Sequence, residues 1–277
     1  MGVIRIETTK PIAYDSPDHI QPHGTAENNT TNRRFNEKLF RYIPRERVRL
    51  LDLGCSGGGL VKSIIDGGGF AVGIEGSDYS LRHRRAEWAT IPDHLFTADA
   101  TVDFQLNDRH SDGRDEPLRF NVVTAWEFFE HIAQEGIPGI CANILRHLEP
   151  GGIVMASIAT YADVVNGVTL HQTVRMRPWW EETFLRYGLE RQRAVERYFN
   201  FDMLNGLPVG WSFTIALTRK GEVPIGYEKL RGLTRTNAPY EARQYLRWLT
   251  KFDTWHHLAW LTKRRIEARV PGGREFS

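Results

Sequence analysis

The chain is poor in cysteine, has no long apolar run and carries almost no net charge. Its two cysteines, Cys55 and Cys141, are too few for a disulfide framework in 277 residues and predict a reducing compartment, the cytoplasm. No stretch has the length of a membrane span, and the N-terminus lacks the apolar core of a signal peptide. The 36 basic and 34 acidic residues nearly cancel, which gives no general reason to expect nucleic acid as a partner.

Strand-like and helix-like apolar patterns alternate from residue 48 to residue 158. Strands are predicted at 48–53, 70–75, 94–98, 120–126 and 152–158, and helices at 58–66, 80–89 and 136–148. This alternation predicts right-handed crossovers and a parallel sheet that is covered on both faces. The rhythm then changes to a helix at 178–187 and two strands at 191–199 and 211–218, and residues 107–117 are expected to form a polar surface excursion.

These patterns divide the chain into three parts. Residues 1–45 are predicted to form an N-terminal arm with a lid helix, residues 46–220 the α/β domain, and residues 221–277 a C-terminal helical extension. The extension, with helices expected near 239–251 and 253–268, interleaves Trp and Tyr with Arg and Lys, a mixture that suits single-stranded RNA or a membrane surface. The helical spacing of its apolar residues instead favours docking on the domain or on a second subunit, which predicts a homo-oligomer.

The first predicted strand runs into a glycine-rich turn, Leu51-Asp-Leu-Gly-Cys-Ser-Gly57. Gly54 and Gly57 let the backbone approach a ligand closely, and the next helix would present free N–H groups to that ligand. Dinucleotide-binding folds share a strand, a glycine turn and a helix. The spacing Asp52-x-Gly54-x-x-Gly57 differs from their G-x-G-x-x-G, and a second acid, Glu75, ends the next apolar run.

This motif resembles that of the class I S-adenosylmethionine-dependent methyltransferases. The resemblance implies a Rossmann-like α/β sheet of seven strands, mostly parallel with the last strand antiparallel. It also implies S-adenosylmethionine as cofactor, with Asp52 near its ammonium group, Glu75 on its ribose hydroxyls and Asp99 near its adenine. The expected cofactor residues are Asp52, Gly54, Cys55, Gly57, Glu75, Asp99, Ala100 and Trp126.

Structural roles remain open for two of these acids. Asp52 could cap the following turn, and Glu75 could be a solvated strand end. Asp78 competes with Glu75 for the ribose, but it is better placed to cap the helix that starts near Tyr79.

A second cluster of functional residues follows the fourth strand, in Glu127-Phe-Phe-Glu130-His131. Offsets of three and four residues would place these side chains on one face of a helical turn, where a divalent cation would satisfy them. With His171 after the fifth strand, the pattern resembles the small-RNA 3′-end 2′-O-methyltransferases and, in part, the ubiquinone-pathway O-methyltransferases. This resemblance implies a metal (Mg²⁺, Mn²⁺, Fe²⁺ or Zn²⁺) held by Glu127, Glu130, His131 and His171.

The same residues have roles that need no metal. His131 or His171 would then act as a general base, with Glu127 as a third catalytic candidate. Glu130 and His131 could also serve in packing or cofactor contact, and His171 could be a loop histidine that contacts the substrate.

The arm is rich in hydroxyl, amide and imidazole groups, which suits a polyhydroxylated acceptor. Together with a similarity to methyltransferases of bacterial glycan clusters, this predicts O-methylation of a small-molecule, sugar or glycan hydroxyl, with the metal activating a vicinal diol. An RNA ribose 2′-O-methyltransferase is the first alternative, disfavoured by the near-neutral charge. The second is an inactive cofactor-binding subunit, disfavoured by the intact Glu-x-x-Glu-His turn.

Overall fold

The computed structural model describes residues 2–199, 212–228 and 230. The strands are β1 (Val3–Thr8), β2 (Arg49–Leu53), β3 (Phe70–Glu75), β4 (Leu95–Thr97), β5 (Phe104–Arg109), β6 (Asp115–Pro117), β7 (Phe120–Trp126), β8 (Leu148–Ala159), β9 (Val164–Val165), β10 (Val168–Thr169), β11 (Leu189–Arg191) and β12 (Ser212–Arg219). The helices are α1 (Pro17–Ile20), α2 (His23–Glu27), α3 (Arg33–Tyr42), α4 (Gly59–Asp66), α5 (Tyr79–Arg82), α6 (Ile137–His147), α7 (Arg177–Arg186) and α8 (Arg193–Phe199). Short 3-10 turns include Ala86–Ala89 and Phe129–His131.

The main sheet has seven strands in the order β11-β12-β8-β7-β2-β3-β4. Strands β8, β7, β2, β3 and β4 are parallel neighbours, whereas β12 runs antiparallel to both β8 and β11. The predicted seven-stranded sheet with an antiparallel last strand is therefore confirmed. Leu50, Leu51 and Leu53 of β2 are fully buried because the sheet is covered on both faces, and such strands are continuous apolar runs.

Helices pack on both faces of this sheet and form two apolar clusters. On one face, Ile140 and Ile144 of α6 pack with Phe184 of α7 and the sheet. On the other face, Phe35 of α3 packs with Phe199 of α8. The crossovers predicted from the alternating pattern therefore produce the three layers of a doubly wound fold.

Two predicted elements are wrong. Residues 191–199 were expected to be a strand, but the strand ends at Arg191 and helix α8 follows, because Val195, Tyr198 and Phe199 reach the core at helical spacing. The predicted helix at 80–89 is interrupted after Arg82 by positive φ values at Arg84 and Ala86, and resumes only as a 3-10 turn.

A small antiparallel sheet stands beside the main one. Strand β5 pairs with β1 on one side and with β6 on the other, so the expected polar excursion at 107–117 contains a hairpin. Charged and amide side chains occupy this hairpin, which is why its sequence resembles a loop.

The N-terminal arm, expected to be a loop before its lid helix, contains α1 and α2 and runs along the carboxyl edge of the main sheet. Within the described part of the chain, no helix is long and apolar enough to cross a membrane.

The start of the predicted C-terminal extension packs on the domain, since Ile225 N donates to Gly151 O (2.8 Å) and Leu230 is fully buried. The helices expected at 239–251 and 253–268 lie outside the described residues, as do Trp211 and the link before it. The three-part division of the chain stays a prediction.

Candidate active site

A cavity of about 400 Å³ lies at the carboxyl edge of the main sheet, where parallel α/β sheets bind ligands. Its walls come from the ends of four neighbouring strands, β7, β2, β3 and β4, and from the N-terminal arm. The wall residues include Lys10, Asp18, Gly54, Ser56, Glu75, Asp99, Ala100, Trp126, Glu127, Phe128, His131, Ile132 and Ala133. A space of this size accepts a cofactor or a small substrate.

The glycine turn after β2 lets the Phe128 side chain approach the backbone closely. Gly54 has a φ of +73°, and a Cβ atom at this position would lie 2.7 Å from Cδ2 of Phe128. Ser56 is also in the left-handed region, at φ +48°, and its backbone N–H donates to Oε2 of Glu75 at 2.8 Å. The turn therefore leaves no room for a larger residue than glycine beside Phe128.

The Glu75 carboxylate is fixed at the end of β3 between two backbone donors. Ser56 N donates to Oε2, and Ser77 N donates to Oε1 at 3.2 Å. Burial raises the pKa of Glu75, although these two N–H groups oppose the change. The carboxylate is buried but borders the cavity, so it is held in place for a ligand, and a solvated strand end is excluded.

After the neighbouring strand β4, Asp99 is held by Lys10 and Thr101. Its Oδ2 lies 2.9 Å from Lys10 Nζ, and its Oδ1 accepts from Thr101 Oγ1 at 2.6 Å. Burial opposes ionisation, but these hydrogen bonds keep the pKa of Asp99 below its usual value. Ala100, after β4, and Trp126, at the end of β7, also line the cavity.

Three expected cofactor residues are not among the described residues that line the cavity. Asp52 is buried below the turn, where Thr124 Oγ1 donates to its Oδ1 at 2.7 Å and burial raises its pKa to about 7. Cys55 is buried against Gly73, and Gly57 N donates to Asn28 O at 3.2 Å under the arm. Their roles toward the cofactor stay predictions.

Asp78 occupies the N-cap position of α5, as expected, but its carboxylate makes no capping hydrogen bond to the described helix. Instead, it lies 3.1 Å from Arg82 Nε in an ion pair.

Glu130, His131 and His171 come together beside the cavity. One potential ligand atom of each lies within 4.8 Å of the others, and the two imidazole ring centres are 4.7 Å apart. His131 lines the cavity, whereas Glu130 and His171 are buried behind it. Glu130 Oε1 accepts from Ala159 N at 2.9 Å, and Oε2 is buried with no hydrogen-bond partner among the described residues.

Both imidazoles are held through Nδ1. His131 Nδ1 lies 3.0 Å from Asp18 Oδ2, and His171 Nδ1 lies 2.6 Å from Tyr161 O. In each ring, Nε2 is then the nitrogen that remains for a ligand. Imidazoles that bind metals are typically held in this way by a carboxylate or a carbonyl on the other nitrogen.

Glu127 stands apart from this cluster. Its φ of +48° places it before the 3-10 turn Phe129–His131, so the expectation of one shared helical face is wrong for Glu127. Its backbone N–H donates to Ser157, and its Oε2 accepts from Ser212 Oγ at 2.9 Å. Its Oε1 is buried with no hydrogen-bond partner in the described chain. A non-glycine residue in this strained conformation is typical of functional sites.

The cluster has opposing electrostatic effects on its members. Burial and the neighbouring Glu127 raise the pKa of Glu130 well above its usual range. Burial alone would lower the pKa of His131, but Asp18, Glu130 and Glu127 raise it to about 9. Burial and the charge of His131 lower the pKa of His171. A cation would relieve the cost of two buried carboxylates in this place.

Sequence reasoning missed Asp18, Lys10 and Ser212 as neighbours of the site. Asp18 and Lys10 lie in the polar arm, which has no periodic pattern to show which side chains face the sheet. The single local signal is Ser16-Pro17, a helix start that fixes the position of Asp18.

A family model described as a methyltransferase domain matches residues 26–202. The chain belongs to this methyltransferase family. The predicted class I S-adenosylmethionine-dependent methyltransferase domain is thereby confirmed.

Curated relatives match part of the chain. The ubiquinone biosynthesis O-methyltransferase of Azoarcus sp. (strain BH72) is 32% identical over 110 residues, which cover 39% of this chain and 43% of that protein. The protein of the same name from Thiobacillus denitrificans (strain ATCC 25259 / T1) is 30% identical over 114 residues, covering 41% of this chain and 45% of that protein. The chain thus matches less than half the length of these relatives.

Among solved structures, a TehB-like methyltransferase from Corynebacterium glutamicum ATCC 13032 has a TM-score of 0.49 and 17% identity, covering 73% of this chain and 94% of that one.

The predicted sugar or glycan acceptor is wrong, because the curated relatives are named for ubiquinone biosynthesis. The similarity to glycan and small-RNA methyltransferases is not confirmed. The arm misled the sequence reasoning because its polar groups serve its own turns. Ser16 Oγ accepts from His19 N at 3.1 Å, and Asn28 Oδ1 accepts from Thr30 N at 2.9 Å.

Proposed function

We propose that the protein transfers a methyl group from S-adenosylmethionine to a phenolic hydroxyl on a catechol- or quinol-type ring. The observation that supports this proposal is the position of Glu130, His131 and His171 beside a cavity that five of the expected cofactor residues also line: Gly54, Glu75, Asp99, Ala100 and Trp126. The names of the curated relatives support a ring of the quinone type as the acceptor.

The cofactor end of the cavity fits S-adenosylmethionine. The fixed Glu75 carboxylate is placed to accept hydrogen bonds from the ribose hydroxyls, as acids do at this point in doubly wound folds. Gly54 lines the cavity beside Phe128, and Asp99 is held as a carboxylate after the neighbouring strand β4. When bound, S-adenosylmethionine supplies the electrophilic methyl group.

The acceptor side of the cavity suits a flat ring better than a sugar. Phe128 lies directly over Gly54, and Ile132 and Ala133 line the wall that follows His131. An aromatic ring would cover these apolar surfaces and keep its hydroxyls toward His131.

The polar cluster also fits a divalent cation, which we include in the proposal. Glu130 Oε2 lacks a partner among the described residues, and each imidazole has Nε2 available after its Nδ1 is bound. Two imidazoles and a carboxylate do not select among Mg²⁺, Mn²⁺, Fe²⁺ and Zn²⁺. A bound cation lowers the pKa of a hydroxyl that contacts it. Glu127 is the fourth predicted ligand, and its buried free Oε1 is compatible with this role.

The chain's own residues would prepare the acceptor. Asp18 and Tyr161 O orient the two imidazoles, and the lowered pKa of His171 keeps this ring neutral, with a lone pair available, at pH 7. His131, with a pKa of about 9, is protonated at that pH in the absence of a cation and cannot accept a proton. His171 is therefore the better candidate for a general base if no metal takes part.

Transfer of labelled methyl from S-adenosylmethionine to a set of acceptors tests the proposal. The set is an alkyl catechol, its two monomethyl ethers, a hexose and a ribonucleoside, each assayed before and after exhaustive chelation. We expect the catechol to be the preferred acceptor and chelation to lower its rate by about 100-fold or more, restored by one of the four cations. If the hexose or the ribonucleoside is the preferred acceptor, the proposal of a phenolic acceptor is wrong. If the rate is unchanged after chelation, the proposal that a metal takes part is wrong.

A further inference from the structure

The N-terminal arm crosses the cavity and is attached on both sides of it. Ala13 N donates to Gly76 O at 2.9 Å, at the end of β3. At the other side, Ser56 Oγ and Gly57 N, both in the glycine turn, donate to Asn28 O at 2.8 and 3.2 Å. Residues 13–28, which we name the strap, therefore cover the ligand space from one strand end to the next.

Helix α1 lies within the strap and sets the position of Asp18. Ser16 caps the helix by accepting from His19 N, and Pro17 occupies its first position. Asp18 then reaches His131, which lies 113 residues further along the chain, with Oδ2 at 3.0 Å from Nδ1. The two side chains are 24% and 20% exposed, and both line the cavity.

The other groups around His131 cannot replace this contact. Glu130 uses Oε1 to accept from Ala159 N, and Glu127 uses Oε2 to accept from Ser212 Oγ. His171 is bound through its own Nδ1 to Tyr161 O. Asp18 is thus the carboxylate that holds Nδ1 of His131 and so fixes the orientation of the ring.

We propose that Asp18 is a positioning residue for methyl transfer and that the strap completes the acceptor site through it. By accepting from Nδ1–H, Asp18 fixes the ring and leaves Nε2 as the nitrogen for a ligand beside Glu130 and His171. This inference rests on the proposed function, since it assigns Asp18 to the acceptor end of the same site. Asp18 lies outside residues 26–202, the part of the chain that matches the family model.

Substitution of Asp18 in the full chain tests the role. Asp18→Ala removes the hydrogen-bond acceptor, whereas Asp18→Asn keeps an amide oxygen that accepts from Nδ1–H. The matched control is Glu27→Gln, on the same strap, which removes an exposed carboxylate 3.4 Å from His23 Nδ1. Three quantities are measured for each variant: kcat with the alkyl catechol, the Kd of S-adenosylmethionine by calorimetry, and the His131 Nδ1–H signal in the NMR spectrum.

We expect Asp18→Ala to lower kcat by about 10- to 100-fold, the range for the loss of a carboxylate that orients a functional histidine. The Kd of S-adenosylmethionine should stay within about threefold of the original, and the His131 Nδ1–H signal should disappear. Asp18→Asn should restore part of kcat, and Glu27→Gln should match the unmodified protein in all three quantities.

Equal losses of kcat and cofactor affinity in Asp18→Ala would overturn the proposal, since the strap would then act only as a cover. A kcat equal to that of Glu27→Gln would also overturn it. If the unmodified protein transfers no methyl to the catechol, the proposed function fails. The Nδ1–H signal then decides separately whether Asp18 holds His131: its loss in Asp18→Ala supports the pairing, and its persistence contradicts it.

Discussion

At the scale of the residue, Glu75 is the side chain that we expect to contribute most to cofactor binding. It is buried, its two oxygens accept from Ser56 N and Ser77 N, and its pKa is raised by burial. The same carboxylate therefore shapes the glycine turn and faces the ligand.

Replacing Glu75 with Gln keeps the side-chain volume and one acceptor oxygen but removes the charge and the second acceptor. We predict that the Kd of S-adenosylmethionine rises by about 10- to 100-fold, as expected for one or two hydrogen bonds to a charged group. Calorimetry measures this, with Glu116→Gln on the exposed β6 strand as the control. Unchanged affinity in Glu75→Gln would show that this carboxylate does not bind the cofactor.

The sequence predicted some of these residues because their chemistry is costly to bury without a purpose. That ground groups Glu127, Glu130 and His131, and the family resemblance adds His171. The structure brings Glu130, His131 and His171 together. Glu127 does not lie on the same helical turn as these residues, because its φ is positive. Its backbone N–H is bonded to Ser157 of β8, a contact that the local sequence does not indicate. Asp18 could not be predicted, since its contact with His131 depends on the path of the whole arm.

At the scale of the element, helix α6 is joined to β5 by a buried histidine. His147 Nε2 accepts from Leu106 N at 3.1 Å, its Nδ1 donates to Asn143 O at 2.8 Å, and its ring stacks on Phe104. Burial, with a smaller effect of Arg146 and Arg119, lowers the pKa of His147 to about 4. The neutral ring is therefore part of the packing between helix and strand.

This packing predicts a pH-dependent stability. The unfolded chain binds a proton at His147 near its ordinary pKa of about 6.5, above the value of about 4 in the fold. The contribution of the neutral His147 ring to the free energy of unfolding is therefore complete above pH 6.5. It is lost as the pH falls toward 4, a change of about 3 kcal/mol. Denaturant unfolding at a series of pH values measures this. Between pH 6.5 and 4, the free energy of unfolding should fall less steeply in His147→Gln than in the unmodified protein. An equally steep fall in both proteins would contradict this account.

The elements that the sequence predicted best are the central strands. β2, β3 and β7 are buried on both faces, so each is a short apolar run followed by the polar residues of the sheet edge. Helix α8 was mistaken for a strand because Val195, Tyr198 and Phe199 favour strands in isolation, and packing on α3 overrides that preference.

At the scale of the whole molecule, the site is assembled from distant parts of the chain. Asp18 comes from the arm, Glu75 from β3, Glu130 from the turn after β7 and His171 from the segment after β8. The sequence order predicted that Glu75 and Asp99 share one edge of the sheet, because they lie at the ends of neighbouring parallel strands, and both line the cavity. The acceptor class was not predictable in the same way, since it depends on walls such as Phe128 and Ile132 that have no motif.

The most direct measurement of the central claim compares methyl transfer and cofactor affinity in His171→Ala. The control is His94→Ala, which removes another imidazole whose Nδ1 contacts a backbone carbonyl, at 2.8 Å from Ala71 O, but which is not among the described residues that line the cavity.

If the Glu130, His131 and His171 cluster is the acceptor end of the site, His171→Ala lowers kcat with the catechol by about 100-fold or more and leaves the Kd of S-adenosylmethionine within about threefold. In His94→Ala, kcat with the catechol and the Kd of S-adenosylmethionine both stay at the values of the unmodified protein. A His171→Ala protein that transfers methyl at the unmodified rate would contradict the claim.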